Sequence, residues 1–497
     1  MPKQKTFLKE LKTKKKKIAQ QAPETADEFL AAGVELEEGG EKWRAGDAAK
    51  SMRFFMRAIN NYDEGLRKYP HSFDLAYNKA RVQYAITQSP KLASQLPAPL
   101  LDLLQVALQS HRAAVELQQD NADALFNTAQ VLTSLADEIT DSKHPPDDQI
   151  AQAIKYTQEA LELFQRCLLL QELRYTESEE QARQLEAQAS YGDSHNEEQM
   201  QEEDNCEAAQ EPQEQWAAIV EPVTKNTLVD TAVAQLETLT TLCNLLAFRP
   251  GTGLAWVEEY SGGQLKAKIS AYVESSERHY EASLAYAKFT CALSEVLYRS
   301  ERIEVETYHR EIARVFGSDL DLSRDPDGLC SKADALTSFN SAVADLPPAH
   351  DLEAFKKSLT LRWQSLSSAL EALTAASRLP DAENLSKIHL ARGDVEMYRW
   401  RLGCAPWGLA MSRQNAPTLL RNAQTYYRGV AALARRGGIP DDERDGAFKE
   451  AFAAALDGQK GKLDRLKATA SKDLLIVAED MVDDGLVSAT DMESLLS

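Results

Sequence analysis

Residues 114–130 read AVELQQDNADALFNTAQ. Ala114 stands near the end of an apolar helical run, a polar DNAD stretch follows, and Leu125, Phe126 and Asn127 open the next run. The pattern is helix, tight polar turn, helix, with small residues where the two helices must meet. Helix pairs stack closely only where no bulky side chain intervenes, so Ala114 and Ala129 mark a contact line between stacked pairs.

Working outward, the same arrangement occurs earlier. Tyr77-Asn78 and Phe126-Asn127 lie 49 residues apart, and each is followed two residues later by alanine, Ala80 and Ala129. Residues 26–69 read as a helical hairpin, with Asp27 as a cap and Gly39, Gly40 and Gly46 flanking the turn. Its second helix carries Met52, Phe55, Ile59, Tyr62 and Leu66 on one face and ends before Pro70. Two further pairs follow, broken by Pro90, Pro97 and Pro99 and then by Pro145 and Pro146.

Over 26–175 the chain resembles the tetratricopeptide-repeat (TPR) family. The residues that carry the resemblance are Ala114, Leu125, Asn127 and Ala129 at the repeat junction, and Gly39, Gly46, Ser51, Phe55 and Ala58 at the family's spacing in the first hairpin. Two departures stand out: Gln119 replaces the junction proline, and the outer helices are too long for the family period of about 34 residues. The alternative is a generic helical bundle with alanine-rich packing. The resemblance implies an all-α fold of helical-hairpin repeats forming a right-handed α-solenoid, whose inner helices line a concave peptide groove. By it, Trp43, Tyr77, Arg81, Tyr84, Phe126 and Gln130 face that groove, and Asn78 and Asn127 hold a peptide backbone. The same rings would serve equally in packing between helices. The carboxylate clamp of co-chaperone members matches only in part. Asn78 fits, but Leu36, Gly40, Asp123 and Asn127 occupy the other places, and an aspartate repels a carboxylate.

Charge divides the rest. The net charge is −21, yet residues 1–22 hold eight lysines against one acid, Glu10, so the remainder carries −28. Such a body attracts basic partners and repels nucleic acid, except through the lysine tail. Lys12, Lys14, Lys15, Lys16 and Lys17 match a simple nuclear-import pattern, which predicts a protein of nucleus and cytoplasm; the alternative is a solvated or RNA-brushing arm. From Glu177 to Glu214 there are thirteen acids and one base, Arg183. Little there can be buried, so an extended acidic insertion is expected. The expected organisation is a basic disordered tail (1–22), TPR-like repeats (23–175), an acidic disordered insertion (176–215), divergent helical repeats (216–440) and closing helices with a polar outer face (441–497). In the divergent part, 277–315 reads as one long helical stretch and Gly393-Asp394 as a hairpin turn.

Motifs for chemistry are scarce. The six cysteines are scattered without a CxxC pair, which fits a reducing intracellular compartment. No run of 18 apolar residues exists, and neither a signal peptide nor a membrane association is expected. Glu306 and His309 form one ExxH without a second copy, so a surface pair is expected there and not a metal site. HExxH, phosphate-loop and GxSxG patterns are missing. The sequence therefore predicts no catalytic residues, no metal and no cofactor. It points to a non-catalytic protein-binding scaffold or dedicated chaperone for a basic, extended client. In outline this is similar to TPR-type chaperones of ribosomal-protein assembly, which would place it in ribosome biogenesis or nuclear transport. The alternative is a TPR adaptor or co-chaperone subunit of a larger complex.

Overall fold

The computed structural model describes residues 22–142, 144–192, 223–248, 253–261, 268, 271–272, 278–348 and 351–497. Among them every regular element is a helix, in agreement with the all-α expectation. The chain divides into two compact units, Met1–Gln149 and Ile150–Ser497.

The first unit comprises α1 (Ala26–Trp43), α2 (Ala48–Lys68), α3 (Phe73–Thr87), the short α4 (Pro90–Ala93), α5 (Leu100–Leu117) and α6 (Ala122–Ile139). Local chemistry sets the starts. Thr25 accepts from the Glu28 amide at 3.2 Å while Glu28 reaches back to the Thr25 amide, a capping box. Asp47 caps α2 by accepting from the Lys50 amide at 2.8 Å, and Asn121 caps α6 by accepting from the Ala124 amide at 3.0 Å. The cap of α1 is thus Thr25, and the expected cap Asp27 lies in the first turn. Met52, Phe55, Ile59 and Tyr62 of α2 are buried, and helices pack in chain order. α3 also touches both α1 and α6, which makes these three an inner row, with α2 and α5 as the alternating outer members.

Gly39 and Gly40 do not flank a turn. Both lie inside α1, and the turn is at 44–47 with Gly46. A Cβ on Gly39 would sit 2.7 Å from the Phe54 ring, and one on Gly40 2.7 Å from the Phe55 ring. These glycines exist to let α2's aromatics lie on α1, and Ser51 closes the contact by donating to the Gly40 carbonyl at 2.8 Å.

The second unit contains α7 (Asp147–Gly192) from Ile150 onward, α8 (Lys225–Phe248), α9 (Gly253–Ser261), α10 (His279–Arg299), α11 (Val305–Val315), α12 (Pro326–Asp345) and α13 (Leu352–Ala376). It continues with α14 (Leu385–Arg401), α15 (Ala410–Gly437), α16 (Pro440–Leu456), α17 (Gly461–Thr469), α18 (Ser471–Asp483) and α19 (Ala489–Leu496). Three apolar clusters follow in chain order. The first joins Leu161 of α7 to Leu236, Leu239 and Phe289; the next holds Tyr308, Phe339 and Leu366; the last holds Tyr427, Phe452 and Met481. Such serial cores are what a stack of helical pairs requires, since each pair buries its apolar face only against its neighbours.

Four expectations change here. Residues 176–192 of the expected insertion continue α7, because Glu, Gln, Ala and Leu form helix without needing burial. One-turn pairs support it: Tyr175 donates to Glu179 at 2.6 Å, and Arg183 meets Glu179 at 3.6 Å. The rest of that insertion, 193–215, lies outside the described residues, as does the basic tail over 1–21. The stretch 277–315 breaks into α10 and α11 at Glu301, whose φ of 57° no helix accommodates. Gly393-Asp394 is mid-helix in α14, not a turn. The closing helices α16–α19 pack on α15 as a core layer, but their outer face is not wholly polar, since Leu475 and Ile476 of α18 are exposed.

Candidate functional site: the inner-helix row of the first unit

Tyr77, Asn78, Arg81 and Tyr84 follow one another along α3, and Phe126, Asn127 and Gln130 do so along α6. The structure brings these two groups together. Asn127 donates to the Tyr77 hydroxyl at 2.8 Å. The Tyr84 hydroxyl lies 3.0 Å from Ser134 Oγ and 3.3 Å from the Gln130 carbonyl, to which it donates. Phe73 stacks on Tyr77 with ring centroids 5.5 Å apart. Phe126 is half-buried beside them. Trp43 stands apart, at the end of α1, with the Lys50 ammonium 3.3 Å above its ring.

The α1–α3 junction is polar in another way. Glu37 of α1 is buried, at 8% exposure, and accepts from the Tyr62 hydroxyl at 2.5 Å and from Arg81. Arg81 also donates to Asn78 Oδ1 at 3.2 Å, and Asn78 donates to the Asp74 carbonyl at 2.8 Å. Burial pushes the Glu37 carboxyl above its ordinary range, against the opposing pull of Arg81 and Tyr62. Burial likewise raises the Tyr77 and Tyr84 hydroxyls, with Asp123 and Asp137 adding to it. Much of the polar chemistry expected to meet a peptide is thus engaged between helices, where it fixes the register of the inner row. Glu37 and Tyr62 escaped sequence reading as a site, because Tyr62 belongs to the apolar face of α2 and Glu37 is one acid among many on α1.

What the row presents outward is carboxylate. The second residue of each inner helix is an aspartate: Asp27 in α1, Asp74 in α3 and Asp123 in α6. All three are exposed. The Asp74 carboxyl is pushed up, first by the protein around it and then by the charge of Asp27. At this end of the row the charge of Asp27 adds to the raised proton affinity of Asp74, and Asp123 lies near enough to Tyr77 to add to the rise of its hydroxyl.

The other residues that sequence reading or thiol chemistry would single out are structural. Glu306 pairs with Lys357 at 2.8 Å, which holds its carboxyl low, and His309 sits 5.4 Å from the Phe339 ring with its proton affinity reduced by burial. Burial pushes the thiols of Cys243 and Cys291 up to about 12, so neither is a nucleophile at neutral pH. Among the described residues no group of three or more His, Cys, Asp or Glu side chains could hold a metal ion, and no helix is long and apolar enough to cross a membrane.

No family model matches the chain. It is 33% identical over 155 residues to "UPF0656 protein C926.02" of Schizosaccharomyces pombe, covering 30% of this chain and 33% of that protein. It is 26% identical over 195 residues to "Uncharacterized protein YNL193W" of Saccharomyces cerevisiae, covering 34% and 35%. The chain thus spans about a third of the length of the curated relatives it matches. A solved structure described as a "Circular tandem repeat protein with novel repeat topology and enhanced subunit contact surfaces" aligns over 93% of this chain and 99% of its own, at 13% identity and a TM-score of 0.30.

Proposed function

We propose that the chain is a non-catalytic protein-binding scaffold of TPR type, and that the inner row of its first unit takes a basic, extended client segment. The observation that carries the reading is the Asp27–Asp74–Asp123 series, in which a client cation relieves repulsion already felt by Asp74. The neighbouring rings give a lysine or arginine stem an apolar surface and its charge a π-face. Lysine- and arginine-rich tails, such as those of ribosomal proteins, have this chemistry. Transport of such a client into the nucleus would fall to Lys12 and Lys14–Lys17.

The test is binding of a labelled lysine-rich peptide by fluorescence anisotropy, at low and high salt. Asp27→Asn, Asp74→Asn and Asp123→Asn combined should weaken it at least tenfold at low salt, and the wild-type affinity should fall as salt rises. Equal affinity of the triple variant and wild type would overturn the reading. Arg81 is the wrong handle for this test, because it is tied to buried Glu37 and its loss perturbs the fold.

A further inference from the structure

A basic row runs along the outer helix α2, in a chain whose net charge is −21. Residues 48–62 hold Lys50, Arg53 and Arg57 and no acid. These three follow one another at three and four residues, so they share one face over about 10 Å. α2 packs on α1, α3 and α4 with Met52, Phe55, Ile59 and Tyr62 buried in a common core. Arg53, Arg57, Asn60 and Glu64 are exposed on the opposite face.

The fold leaves these cations unspent. Among the described residues Arg53 makes no side-chain hydrogen bond or ion pair, and Arg57 only approaches the Phe54 ring, 5.8 Å from its centroid. Lys50 lies over the Trp43 ring at 3.3 Å, a contact that uses its charge and none of its N–H donors. It also stands in the first turn of α2, where the helix dipole adds positive potential. The neighbouring acids are taken. Asp47 accepts from the Lys50 amide as the cap of α2, Glu41 pairs with Arg44 at 2.9 Å, and Asp63 pairs with Lys79 at 2.7 Å. Glu64, seven residues beyond Arg57 on the same face, ends the row. Beside it the Phe54 ring is half-buried against Gly39, where a Cβ would come within 2.7 Å. Ala45, Gly46 and Ala49, exposed at the start of α2, leave room for another helix to approach closely.

We propose that the exposed face of α2 docks an acidic helix of a partner protein, whose carboxylates on two successive turns meet Lys50, Arg53 and Arg57. A helix lying alongside α2 has the same rise, so acids at intervals of three and four residues match the row, and an apolar residue next to them covers Phe54. A third acidic turn on the partner would meet Glu64, which confines the match to a short acidic stretch. Nucleic acid fits less well. Proteins that hold it through its backbone use on the order of 6–10 phosphate contacts, and three cations closed off by an acid fall short of that. The site stands independently of the proposed function. It lies on an outer helix and has the opposite charge, so the first unit can hold a basic client and an acidic partner together.

The experiment uses the full chain and a fluorescein-labelled eighteen-residue alanine- and glutamine-based helical peptide, followed by anisotropy at low salt. The peptide has glutamate at positions 6, 9 and 13 and leucine at position 10. The control peptide has the same composition with glutamate at 6, 11 and 16, which turns the charges to different sides of the helix. Wild type should bind the one-faced peptide at least threefold more tightly than the control. Arg53→Gln combined with Arg57→Gln should weaken that binding at least fivefold. Arg67→Gln, exposed on α2 beyond Glu64, should leave it within twofold. Thermal unfolding of each variant shows that it is folded before binding is read. The proposal is overturned if wild type binds both peptides equally or neither, if the double variant and Arg67→Gln behave alike, or if an oligonucleotide of equal charge binds more tightly. It is also overturned if sedimentation shows wild type self-associating and the double variant monomeric, since the occupant is then a second copy.

Discussion

The two units each contain a buried tyrosine lying on a helical glycine, and the two sites are built alike but charged in reverse. In the first unit Tyr62 of α2 covers Gly33 of α1 and donates to Glu37, which pairs with Arg81 of α3. In the second, Tyr427 of α15 covers Gly393 of α14 and donates to Asp394 at 2.7 Å, which pairs with Lys449 of α16 at 2.8 Å. In both, a hairpin's second helix lays a tyrosine on its first, and the next helix supplies a cation. The burial differs. Glu37 is the hidden ion in the first site, with a side chain 10% exposed against 39% for Arg81; in the second the hidden ion is Lys449, at 8% against 23% for Asp394. One partner of each pair thus keeps contact with water, which limits the desolvation that a fully buried pair would suffer.

This inversion predicts opposite responses to pH when the more exposed partner is removed. A buried ion left alone can always escape by becoming neutral, and that escape sets a ceiling on its cost. At pH 7 the ceiling is about 4.6 kcal/mol for an ordinary lysine and about 3.7 kcal/mol for an ordinary glutamate. At pH 5 the glutamate ceiling falls to about 1 kcal/mol, while that for lysine rises. Asp394→Ala should therefore be the most damaging change, and more so at pH 5. Arg81→Ala should be milder at pH 7 and nearly harmless to the α1–α2 hairpin at pH 5. Amide hydrogen exchange resolved by peptide reads the two hairpins separately, which suits a two-unit chain better than one melting temperature. If both variants lose protection in parallel at both pH values, the inversion has no energetic meaning.

The glycines come next. A Cβ on Gly33 would meet Tyr62 ring atoms at 2.2 Å, and one on Gly393 would meet those of Tyr427 at 2.4 Å. Neither ring has room to retreat, since both tyrosines are fully buried. Gly33→Ala and Gly393→Ala should each cost about 1–3 kcal/mol through overpacking, despite the higher helix propensity of alanine. Gly46→Ala is the control, because nothing lies within 4 Å of its Cβ position. Equal protection of α1 and α2 in Gly33→Ala and Gly46→Ala would show that the tyrosine–glycine contact is loose.

These glycines also mark where the sequence was legible and where it was not. Helices and most of their order were readable, because apolar spacing such as Met52, Phe55, Ile59 and Tyr62 reports one buried face directly. The meaning of glycine was not. Gly39, Gly40 and Gly393 read as turn residues, since local propensity favours a break there, yet each is a close-approach point inside a helix whose partner ring lies in another segment. Of the candidate site, the equivalence of Tyr77-Asn78 and Phe126-Asn127 was legible as a repeated dipeptide, but the hydrogen bond by which Asn127 meets Tyr77 was not, since the resemblance assigns that asparagine to a peptide backbone. The pairing of Glu37 with Arg81 was not, because 44 residues separate them and neither has a distinctive local context.

The tyrosine hydroxyls should matter less than the glycines. Tyr62→Phe removes a donor to Glu37, which keeps Arg81, and Tyr427→Phe removes a donor to Asp394, which keeps Lys449. Each should cost about 1–2 kcal/mol, within the range for a hydrogen bond to a charged group. The first loss should be the larger, since Glu37 has less access to replacement water. A larger loss at Tyr427 would place the weight of the second site on its hydroxyl and not on its ion pair.

The smallest effect is the pH slope of the intact first site, and its sign is fixed. The folded-state pKa of Glu37 is raised, so the folded chain holds that proton more tightly than the unfolded one. Its contribution to stability is present below the unfolded glutamate value and is lost as pH rises through the folded value. Protection of α1 and α2, corrected for intrinsic exchange rates, should therefore decline over that window. Glu37→Gln fixes the group in a neutral form of the same shape, and the decline should flatten. It leaves Arg81 without its carboxylate, but Arg81 is the more exposed partner and can be hydrated. The α14–α15 hairpin is an internal reference in the same sample, since Glu37→Gln does not touch it. A slope that survives Glu37→Gln in α1 and α2 would assign the pH response to another carboxyl, with Asp74, raised by burial and by Asp27, the first to replace.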